Sequence, residues 1–557
     1  MLGKRWMEPG TETAWADPGG FTPTEQAILA GRGVRTAVDA ERFLSRLHTG
    51  SSDPFLMTDM PAAVERLQAA RAGGQTVVVY GDYDADGVSA TVLLYEVLSS
   101  QGFATRWYIP DRFEEGYGLN AGALSKLRSE GADLLVSVDC GIRSWEAAEV
   151  AKQVGLELII TDHHLPADEL PPAIAVVNPN RQGDRYPFKG LSGVGVALKL
   201  AQALLEASGI QYPVLPLDLV AVGTVSDLAP LQNENRALVA SGLEQLNAGV
   251  RPGLHALVAQ ARLTPGRLTA NSIGFSLGPR LNAAGRLASA GEAVELLLAR
   301  PGPEARARAE SLDRLNRERQ RLTNETLDQA REIVGLSPAG RSLIVAADPS
   351  FHEGVVGLVA GRLVDEFYRP ALVARVEENS VRGSARSIPQ FNITDALDKC
   401  GDLLERYGGH AAAAGFGIGA ANWDAFVARM ERIAEQALGG QDLRPTLSID
   451  AVLGFDQLND DLMDFVEKLE PCGEGNPAPI FATRGATVLS QRAVGADRKH
   501  LKLALHSGDR AFDAIGFNLG ARLPEISRTV DIAYRLERNE FRGVVSLQLV
   551  VVDFRPG

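Results

Sequence analysis

Between residues 75 and 178, four short apolar segments rich in valine and isoleucine alternate with amphipathic segments. The apolar segments are QTVVVYGD, DLLVSVD, LELIITD and AIAVVN. Buried strands that alternate with helices are typical of a parallel sheet with helices on both faces. Three of the four segments end in aspartate, and the ligands of such sheets bind beyond the carboxyl ends of the strands. The pattern therefore predicts an α/β domain whose functional site lies along one edge of its sheet.

The rest of the chain divides into further units. A length of 557 residues corresponds to about three or four domains. Helix-forming residues without an internal glycine or proline follow Pro303 and predict one long polar helix that bridges two globular parts. A second αβ region starts at residue 341, and alternating patterns near the end predict a small β-barrel. We predict an N-terminal adaptor (1–50), a catalytic α/β domain (51–302), a connecting helix (303–335), a second αβ domain (336–440) and a C-terminal barrel (441–557).

Composition favours a soluble, cytoplasmic protein. Hydrophobic residues make up 45% of the chain and charged residues 23%, as in ordinary globular proteins. The sequence has no stretch of about 18 apolar residues, so no transmembrane helix is predicted. The three cysteines, Cys140, Cys400 and Cys472, form no CxxC pair. This spacing argues against a disulfide framework or a thiolate zinc site and fits a reducing cytoplasm.

The formal net charge of −14 is unfavourable for a protein that coats nucleic acid. It does not exclude a local basic channel, because salt limits the reach of surface charge to about 10 Å. Carboxylates that hold metal ions also contribute to the negative total. The net charge is therefore an argument against a nucleic-acid partner that stronger features can outweigh.

The first apolar segment runs directly into an acidic triplet, Asp82, Asp84 and Asp86, followed by Gly87. Aspartates at positions i, i+2 and i+4 point the same way if the chain stays extended, which is the expectation here. Three like charges at the end of a buried strand repel one another and need a compensating cation. Taken alone, the triplet is also compatible with a calcium-type loop or a solvated acidic turn.

Three further acidic positions follow apolar segments. Asp139 ends the second segment, although a strand-terminal aspartate alone is often only a helix cap. Asp162, His163 and His164 follow the third, where the alternative is a polar turn with one buried histidine. Asp227 follows a later apolar stretch. Carboxylates with an imidazole at one sheet edge suit Mn²⁺ or Mg²⁺, with Mn²⁺ favoured by the histidine, and two such ions can share one carboxylate.

The motifs as a set resemble the DHH phosphoesterase superfamily, whose name comes from the Asp162-His163-His164 triplet, and within it the bacterial single-strand-specific exonucleases. The resemblance covers nearly the whole chain. Besides GDYDADG, VDCGI and TDHH, the motifs that carry it are DRFEEGYGLN (111–120), SGVGVALKL (192–200), VSDLAPL (225–231), GPRLNAAGRL (278–287), FHEGVVGLVAGRL (351–363), GSARS (383–387), GGHAAAAGF (408–416) and EPCGEGNPAPIF (470–481).

The resemblance implies a specific set of metal ligands for two Mn²⁺ or Mg²⁺ ions. It assigns the shared, bridging position to Asp139, which would sit between the first and last motifs. His164 would face the scissile phosphate as a donor that stabilises its developing charge. Asp139, His163 and His164 are therefore the predicted catalytic residues. The implied metal ligands are Asp82, Asp84, Asp86, Asp139, His163 and Asp227.

The second αβ region resembles the DHH-associated substrate-binding domain. Ser384 and Arg386 in the GSARS motif resemble a pocket for a 5′-terminal phosphate, with Arg112 opposite from the first domain. The run from Gly408 through Gly409 to His410 offers backbone N–H groups and an imidazole to a phosphate. The alternative for this run is a glycine turn after a helix. Arg280 is expected to contact phosphate or the rim of the site, although a single arginine is more often a surface salt-bridge partner.

The resemblance implies 5′-to-3′ hydrolysis of single-stranded DNA to mononucleotides in recombination and repair, with an oligonucleotide-binding (OB) type of barrel at the C-terminus. It also implies a single-stranded-DNA-binding protein and a RecQ-type helicase as partners, no membrane association and a monomer. The alternative is an oligoribonucleotide or cyclic-dinucleotide phosphodiesterase of the same superfamily. Those enzymes need only the two αβ parts, so the barrel favours a long polymer. A non-catalytic scaffold is disfavoured because every expected ligand is present.

Overall fold

The computed structural model describes residues 3–10, 15, 17–45, 52–209, 214–335, 340–541 and 543–557. The described part folds into two αβ units, a long helix that joins them and a closed barrel onto which the N-terminal segment packs. Among the helices described, none combines the length and the apolar surface that a transmembrane span requires.

The N-terminal segment contains β1 (Arg5–Met7), α1 (Pro23–Ala30) and α2 (Ala37–Leu44). The helix α1 begins with a capping box, in which Thr22 and Glu25 satisfy each other's backbone N–H groups. Its buried Ile28 and Leu29 lie in the same hydrophobic cluster as the barrel interior, and β1 pairs with residues 446–448. The predicted adaptor is thus an addition to the C-terminal unit.

The first αβ unit is organised around a five-stranded, all-parallel sheet, as the sequence predicted. Its strands are ordered β3-β2-β4-β5-β6. Val77 and Val79 of β2 face one hydrophobic layer, and Val78 and Tyr80 face the other, because successive side chains of a strand point to opposite faces. The strands are β2 (Thr76–Gly81), β3 (Ala104–Tyr108), β4 (Leu134–Val138), β5 (Glu157–Thr161) and β6 (Ala175–Val177).

Helices cover both faces of this sheet. Residues of α5 and α6 pack on the face of Val78 and Tyr80, and residues of α3, α4, α7 and α8 pack on the other. The helices are α3 (Met60–Ala72), α4 (Ala85–Ser100), α5 (Ala121–Ser129), α6 (Trp145–Gln153), α7 (Gly193–Ser208), α8 (Leu217–Ser226), α9 (Asn233–Ala248), α10 (Pro252–Gln260), α11 (Ala270–Ser272), α12 (Gly278–Leu287) and α13 (Gly291–Leu297), with a 3-10 turn at Pro54–Leu56 and a π-helical turn at Ile273–Leu277.

The predicted connecting helix is confirmed as α14 (Pro303–Val334), a single helix of 32 residues. Near its start, Leu312 is buried in the core of the first unit. Near its end, Leu327 and Val334 are buried in the core of the second unit. One mainly polar helix therefore fixes the two αβ units relative to each other by burying apolar side chains in both.

The second αβ unit contains a mixed sheet ordered β10-β11-β9-β8-β7, in which only β7 and β8 are parallel. The helix α15 packs on one face of the sheet, and α16 and α17 pack on the other. The elements are β7 (Ile344–Asp348), α15 (Glu353–Phe367), β8 (Ala371–Val376), β9 (Ser380–Arg386), α16 (Ile393–Asp398), β10 (Arg406–His410), β11 (Ala413–Gly419) and α17 (Trp423–Leu438), with a 3-10 turn at Ala420–Asn422.

The C-terminal strands form a barrel, as predicted. Five strands follow one another in the order β14-β15-β16-β18-β17, and pairing of β14 with β17 closes the barrel and removes its free edges. The elements are β12 (Thr446–Ser448), β13 (Ala451–Val452), α18 (Asp460–Lys468), β14 (Phe481–Val494), β15 (His500–Ser507), β16 (Arg510–Gly516), β17 (Thr529–Phe541) and β18 (Val544–Pro556), with 3-10 turns at Phe455–Gln457 and Gly520–Glu525.

Candidate metal centre and phosphate pocket

The acidic triplet lies at the point where β2 gives way to α4, and the expectation that it stays extended is wrong. Asp82 directly follows the strand, whereas Asp84 is the N-cap of α4 and its Oδ1 accepts from the N–H groups of Asp86 (2.9 Å) and Gly87 (3.0 Å). Asp86 therefore lies in the first helical turn. The small residues after Asp84 allow the helix to start at once, and an aspartate cap satisfies its free N–H groups.

Two glycines allow helices to begin against the carboxylates. A Cβ atom on Gly87 would lie 2.7 Å from the Cβ of Asp82, and one on Gly193 would lie 2.2 Å from Oδ1 of Asp139. Gly193 is the first residue of α7, and its N–H donates to Asp86 Oδ2 (2.7 Å). Both positions therefore exclude any side chain. The helix N-termini of α4 and α7 thus place positive dipole ends beside the acidic cluster.

Asp139, His163 and Asp227 converge from three different elements. Asp139 follows β4 in the left-handed backbone region (φ 61°), which aspartate tolerates better than most residues. His163 follows β5, and its Nε2 lies 3.2 Å from Asp139 Oδ1 and 3.8 Å from Asp227 Oδ2. Asp227 ends α8, with its N–H bonded to Gly223 O. The structure thus brings residues far apart in sequence to one edge of the sheet.

The ligand atoms of these residues lie close enough to share cations. Three groups of side chains each offer atoms within 4.8 Å of one another: Asp82, Asp84 and Asp139; Asp86, His163 and Asp227; and Asp139, His163 and His164. Among the described residues, Asp82 Oδ1, Asp139 Oδ1 and His163 Nε2 are buried without a hydrogen-bond partner. Unpartnered buried polar atoms are costly, and cations would satisfy all three. The residues present therefore fit divalent metal ions.

The carboxyl pKa values reflect crowding of like charges in a buried site. Burial, reinforced by Asp84, raises the pKa of Asp86 to about 7. Burial, reinforced by Asp86, raises the pKa of Asp227 to about 9. The pKa values of Asp82 and Asp139 are also raised well above the usual range by burial and neighbouring carboxylates. Burial and the adjacent His164 lower the pKa of His163 to about 4, so His163 is neutral and free to act as a ligand.

These shifts predict how the stability of the metal-free protein depends on pH. The folded state holds protons on Asp86 and Asp227 that the unfolded state, with aspartate pKa values of about 4, releases. The free energy of unfolding should therefore fall as the pH rises from about 4 to about 9 in the presence of a chelator. Saturating Mn²⁺ should reduce this loss, because ionised carboxylates then act as ligands. Thermal unfolding across this range, with and without Mn²⁺, measures both effects; identical pH profiles would contradict the expectation.

Asp162, which was not predicted as a site residue, organises the histidine pair. Its Oδ1 accepts from the N–H of His163 (2.7 Å), the N–H of His164 (3.1 Å) and His164 Nδ1 (2.7 Å), and its Oδ2 accepts from Ile142 N–H (3.0 Å). Burial opposes both charges, yet this hydrogen bond and ion pair lower the pKa of Asp162 and raise that of His164. The position of Asp162 directly before two histidines was the available signal.

His164 lies where the two αβ units meet. Its Nδ1 is 3.1 Å from the Tyr117 hydroxyl, and its ring is nearly parallel to that of His410, with centroids 6.1 Å apart. His410 ends β10, so the second unit contributes a side chain beside the metal centre. Residues 406–410 form a strand and not the glycine turn that was the alternative.

The two glycines before His410 differ in their surroundings. Gly409 has φ 151°, and a Cβ there would lie 2.3 Å from Ala413 O, so this glycine is required for pairing with β11. Gly408 faces open space and pairs with Gly415. A phosphate-binding role for the Gly408–His410 backbone stays a prediction.

The residues of the predicted phosphate pocket come from both αβ units, Ser384 and Arg386 from the second and Arg112 from the first, and their binding of a phosphate stays a prediction. Ser384 and Arg386 are two residues apart on β9, so both face α15. A Cβ atom on Gly357 of α15 would lie 3.0 Å from Arg386 Nη2 and 3.1 Å from Ser384 Oγ. Arg386 donates to Ser384 Oγ (2.8 Å). Arg112 stacks over the Tyr83 ring at 4.9 Å from its centroid. Burial, together with the positive charge of Arg112, lowers the pKa of Arg386.

Arg280 and Arg286, both in the GPRLNAAGRL motif, have different surroundings. Arg280 donates to Asp313 Oδ1 (3.0 Å) on α14 and to Ser276 O (2.8 Å), which is the salt-bridge alternative. Burial, and repulsion from Arg112 and other arginines, lowers the pKa of Arg286 to about 9. Arg286 therefore lies in one cationic group with Arg112 and Arg386, although only Arg280 of this motif was predicted as a site residue. A contact of Arg280 with phosphate stays a prediction.

Three known family models match the two αβ units and the barrel. The description "DHH family, N-terminal domain" matches residues 76–224, "DHHA1 domain" matches residues 340–436, and "RecJ OB domain" matches residues 449–553. The Bacillus subtilis single-stranded-DNA-specific exonuclease RecJ is 38% identical over 537 residues, which cover 96% of this chain and 68% of that protein. The Escherichia coli protein of the same name is 35% identical over 571 residues, 97% of each chain.

The chain belongs to the RecJ family. A solved RecJ structure from Thermus thermophilus, in complex with Mn²⁺, matches with a TM-score of 0.86 and 31% identity over 99% of this chain and 80% of that one. A second, in complex with Mg²⁺, matches with a TM-score of 0.80 and 30% identity over 99% and 78% of the chains. The resemblance drawn from the motifs is confirmed. The ions in these RecJ structures are also the two that the ligand types predicted.

Proposed function

We propose that this RecJ-family chain is a metal-dependent nuclease that hydrolyses the phosphodiester bonds of single-stranded DNA from the 5′ end and releases mononucleotides, in recombination and repair. The observation that carries the proposal is the convergence of six candidate ligands near a group of arginines, Arg112 and Arg286 of the first αβ unit and Arg386 of the second. The names of its relatives support the substrate and the exonuclease class. The 5′-to-3′ direction and the product rest on the pocket and on resemblance.

The side chains divide naturally into two cation sites. Asp82 and Asp84 share one group with Asp139, while Asp86 and Asp227 share another with His163. Asp139 is the residue best placed to serve both, because its Oδ1 also lies 3.2 Å from His163 Nε2. When bound, two divalent cations would activate a water molecule and stabilise the leaving oxygen of an in-line displacement.

His164 is suited to bind the scissile phosphate. Asp162 accepts from Nδ1 of His164 and so fixes the ring, which leaves Nε2 as the other donor. The raised pKa of His164 favours the imidazolium form, which donates from both nitrogens. A fixed donor beside the metal centre would stabilise the charge that develops on the phosphate oxygens.

The arginine pocket would select the end of the strand. Arg112 and Arg386 present guanidinium groups of the geometry that binds a phosphate, with the Ser384 hydroxyl beside them. A terminal phosphate anchored there would place the first phosphodiester bond at the metal centre. This arrangement favours attack from a 5′-phosphorylated end and release of one nucleotide at a time.

The barrel favours a polymer over the alternative substrates, short oligoribonucleotides or cyclic dinucleotides. Residues 449–553 match an OB domain, and such barrels bind nucleic-acid strands by charge and stacking. The single-stranded-DNA-binding protein, the RecQ-type helicase and the monomeric state stay predictions that rest on resemblance.

Digestion of labelled substrates with Mn²⁺ tests the proposal. A 5′-phosphorylated single strand of a few tens of nucleotides should be degraded from the 5′ end to mononucleotides, while blunt duplex DNA and single-stranded RNA should persist. Labels at each end of the strand show the direction. Rapid cleavage of dinucleotides or cyclic dinucleotides, with the long strand left intact, would favour the alternative.

Arg386→Ala is expected to reduce the preference for a 5′-phosphorylated end by about tenfold or more, since a lost charge-assisted hydrogen bond removes about 1.5–3 kcal/mol. The measurement is kcat/KM on the same strand with a 5′-phosphate and with a 5′-hydroxyl. Arg429→Ala is the matched control, because Arg429 pairs with Asp402 on the opposite face of the same sheet. An equal loss on both substrates would contradict the pocket assignment.

A further inference from the structure

Two motifs that lie far apart in the sequence contact each other next to the metal centre. The first, VSDLAPL, contains the candidate ligand Asp227 and leads into α9. The second, EPCGEGNPAPIF, belongs to the C-terminal unit and links α18 to β14. Residues 468–476, which run from the end of α18 into the second motif and are here called the docking turn, contact the segment from Leu231 to Arg236. The proposed catalytic chemistry does not use the docking turn.

Arg236 is the centre of this contact. It is 3% exposed, and its guanidinium donates to four consecutive carbonyl groups at the start of the docking turn. The distances are 3.2 Å to Lys468 O, 2.7 Å to Leu469 O, 3.1 Å to Glu470 O and 3.1 Å to Pro471 O. It also lies over the ring of Phe43 of the N-terminal segment, 4.2 Å from the centroid. Only an arginine fork can make so many contacts at once.

The remainder of the docking turn contacts the chain just after Asp227. The N–H of Leu231 donates to Glu474 O (2.7 Å), and Gln232 Nε2 donates to Gly475 O (2.8 Å). A Cβ atom on Gly473 would lie 2.8 Å from Leu231 Cδ1. The backbone of the docking turn therefore lies directly against the segment that follows the ligand. In that segment, Leu231 comes only four residues after Asp227.

The Asp227 segment reaches the protein surface at Leu228, directly after the ligand. Leu228 has a left-handed backbone (φ 60°), and its side chain is 70% exposed. On the inner side, Asn235 Nδ2 donates to Pro230 O (3.1 Å) and to Gly190 O (2.6 Å), which ties the segment to the chain that leads into α7. The segment that follows Asp227 thus lies between the core of the first αβ unit and the docking turn, and it contacts both.

We propose that Arg236 is a positioning residue for the metal centre: by holding the docking turn of the C-terminal unit against residues 231–232, it fixes the ligand Asp227. The barrel unit would then contribute to metal affinity as well as to binding of the strand. The inference rests on the proposed two-metal function. It adds a role for the C-terminal unit that strand binding alone does not require.

Mn²⁺ binding to the metal-free, full-length protein tests the proposal by calorimetry. Arg236→Lys keeps the charge but cannot reach four carbonyl groups, and it should weaken the Asp227-dependent Mn²⁺ site by about tenfold, the low end for residues that orient metal ligands. The amide of Leu231 should also exchange hydrogen faster. Nuclease activity should recover when Mn²⁺ is raised, because the site is weakened and not destroyed.

Arg522→Lys is the matched control. Arg522, like Arg236, is a buried arginine, but it lies in the C-terminal unit, bonded to Asp553 Oδ1 (2.6 Å) and Phe554 O (2.8 Å), with its guanidinium 4.2 Å from the centroid of Phe554. It does not contact the docking turn, so Mn²⁺ affinity should stay at the wild-type value. If Arg236→Lys fails to fold, Gly473→Val is the second variant, since it forces the docking turn away from Leu231 without removing a charge.

The outcomes separate this inference from the proposed function. Weaker Mn²⁺ binding in Arg236→Lys or Gly473→Val, with normal binding in Arg522→Lys, supports the inference. Wild-type affinity in the docking-turn variants overturns it, and so does an equal loss in Arg522→Lys, which would indicate general loosening of the C-terminal unit. A wild-type protein that binds no Mn²⁺ would instead overturn the two-metal function itself, and this inference with it.

Discussion

Asp139→Asn is expected to lower DNA cleavage by at least about a thousandfold, because loss of the shared ligand removes about 4 kcal/mol or more of metal-derived stabilisation. The same substitution should raise the melting temperature of the metal-free protein at about pH 8. The carboxyl of Asp139 is buried, is crowded by Asp86, Asp84 and Asp227, and has an unpartnered oxygen among the described residues. Asparagine removes that charge at nearly the same size. Stability and activity should therefore change in opposite directions.

Asp553→Asn is the control for this opposite behaviour. Asp553 is as well buried as Asp139, but its Oδ1 accepts from Arg522 (2.6 Å) and its Oδ2 from Trp6 Nε1 (2.8 Å). Its neutralisation removes the buried counter-charge of Arg522 and leaves that arginine only the more exposed Glu525 (2.9 Å), so the melting temperature should fall while cleavage persists. Thermal unfolding with a chelator and with Mn²⁺, together with single-turnover cleavage, measures both variants. A metal-free Asp139→Asn protein that melts below wild type would contradict the expectation that crowded, buried carboxylates destabilise the metal-free protein.

The sheet and the convergence of the candidate ligands at its edge were predictable from the sequence because they depend largely on local signals. Three of the ligand-bearing segments are short apolar strands followed by Asp82, Asp139 or Asp162, and parallel strands bring such ends to one edge. Asp227 instead ends the helix α8. The connecting helix could also be predicted from local signals, since its residues favour helix over its whole length. The wrong expectation at Asp84 and Asp86 also concerned a local signal. Aspartate is a typical N-cap residue, so Asp84 marked the start of a helix, but the strand was predicted to continue beyond it.

Contacts between units could not be read from the sequence in the same way. No local pattern in β10 indicates that the His410 ring lies against His164, because that contact depends on how α14 orients the two αβ units. Whether Arg280 or Arg286 lies beside Arg112 and Arg386 depends on which side of α12 faces the second αβ unit. The docking-turn contact of Arg236 joins residues that are 233 positions apart. Such features follow from tertiary packing, which sequence periodicity does not encode.

Asp162→Asn is expected to lower turnover by about 100-fold with little change in DNA affinity, in the range found when the partner of a catalytic histidine or metal ligand is neutralised. Asp162 accepts from four donors, at His163 N–H, His164 N–H, His164 Nδ1 and Ile142 N–H. An asparagine has one acceptor oxygen, so in either orientation its NH₂ group faces one of these donors. If the NH₂ group faces the histidines, the His164 ring loses the bond that fixes its orientation; if it faces Ile142 N–H, the ring keeps the bond but loses its charged acceptor.

A double mutant shows whether Asp162 acts through His164. If it does, Asp162→Asn combined with His164→Ala should be no slower than His164→Ala alone, because the residue that Asp162 orients is already absent. Additive losses would assign Asp162 a separate role, most directly in placing the backbone of His163 through its 2.7 Å hydrogen bond. Mn²⁺ calorimetry distinguishes that case, since a displaced His163 weakens metal binding whereas a misoriented His164 does not. The geometry favours action through His164, because the hydrogen bond from its Nδ1 to Asp162 also raises its pKa and supports the donor form that a phosphate would require.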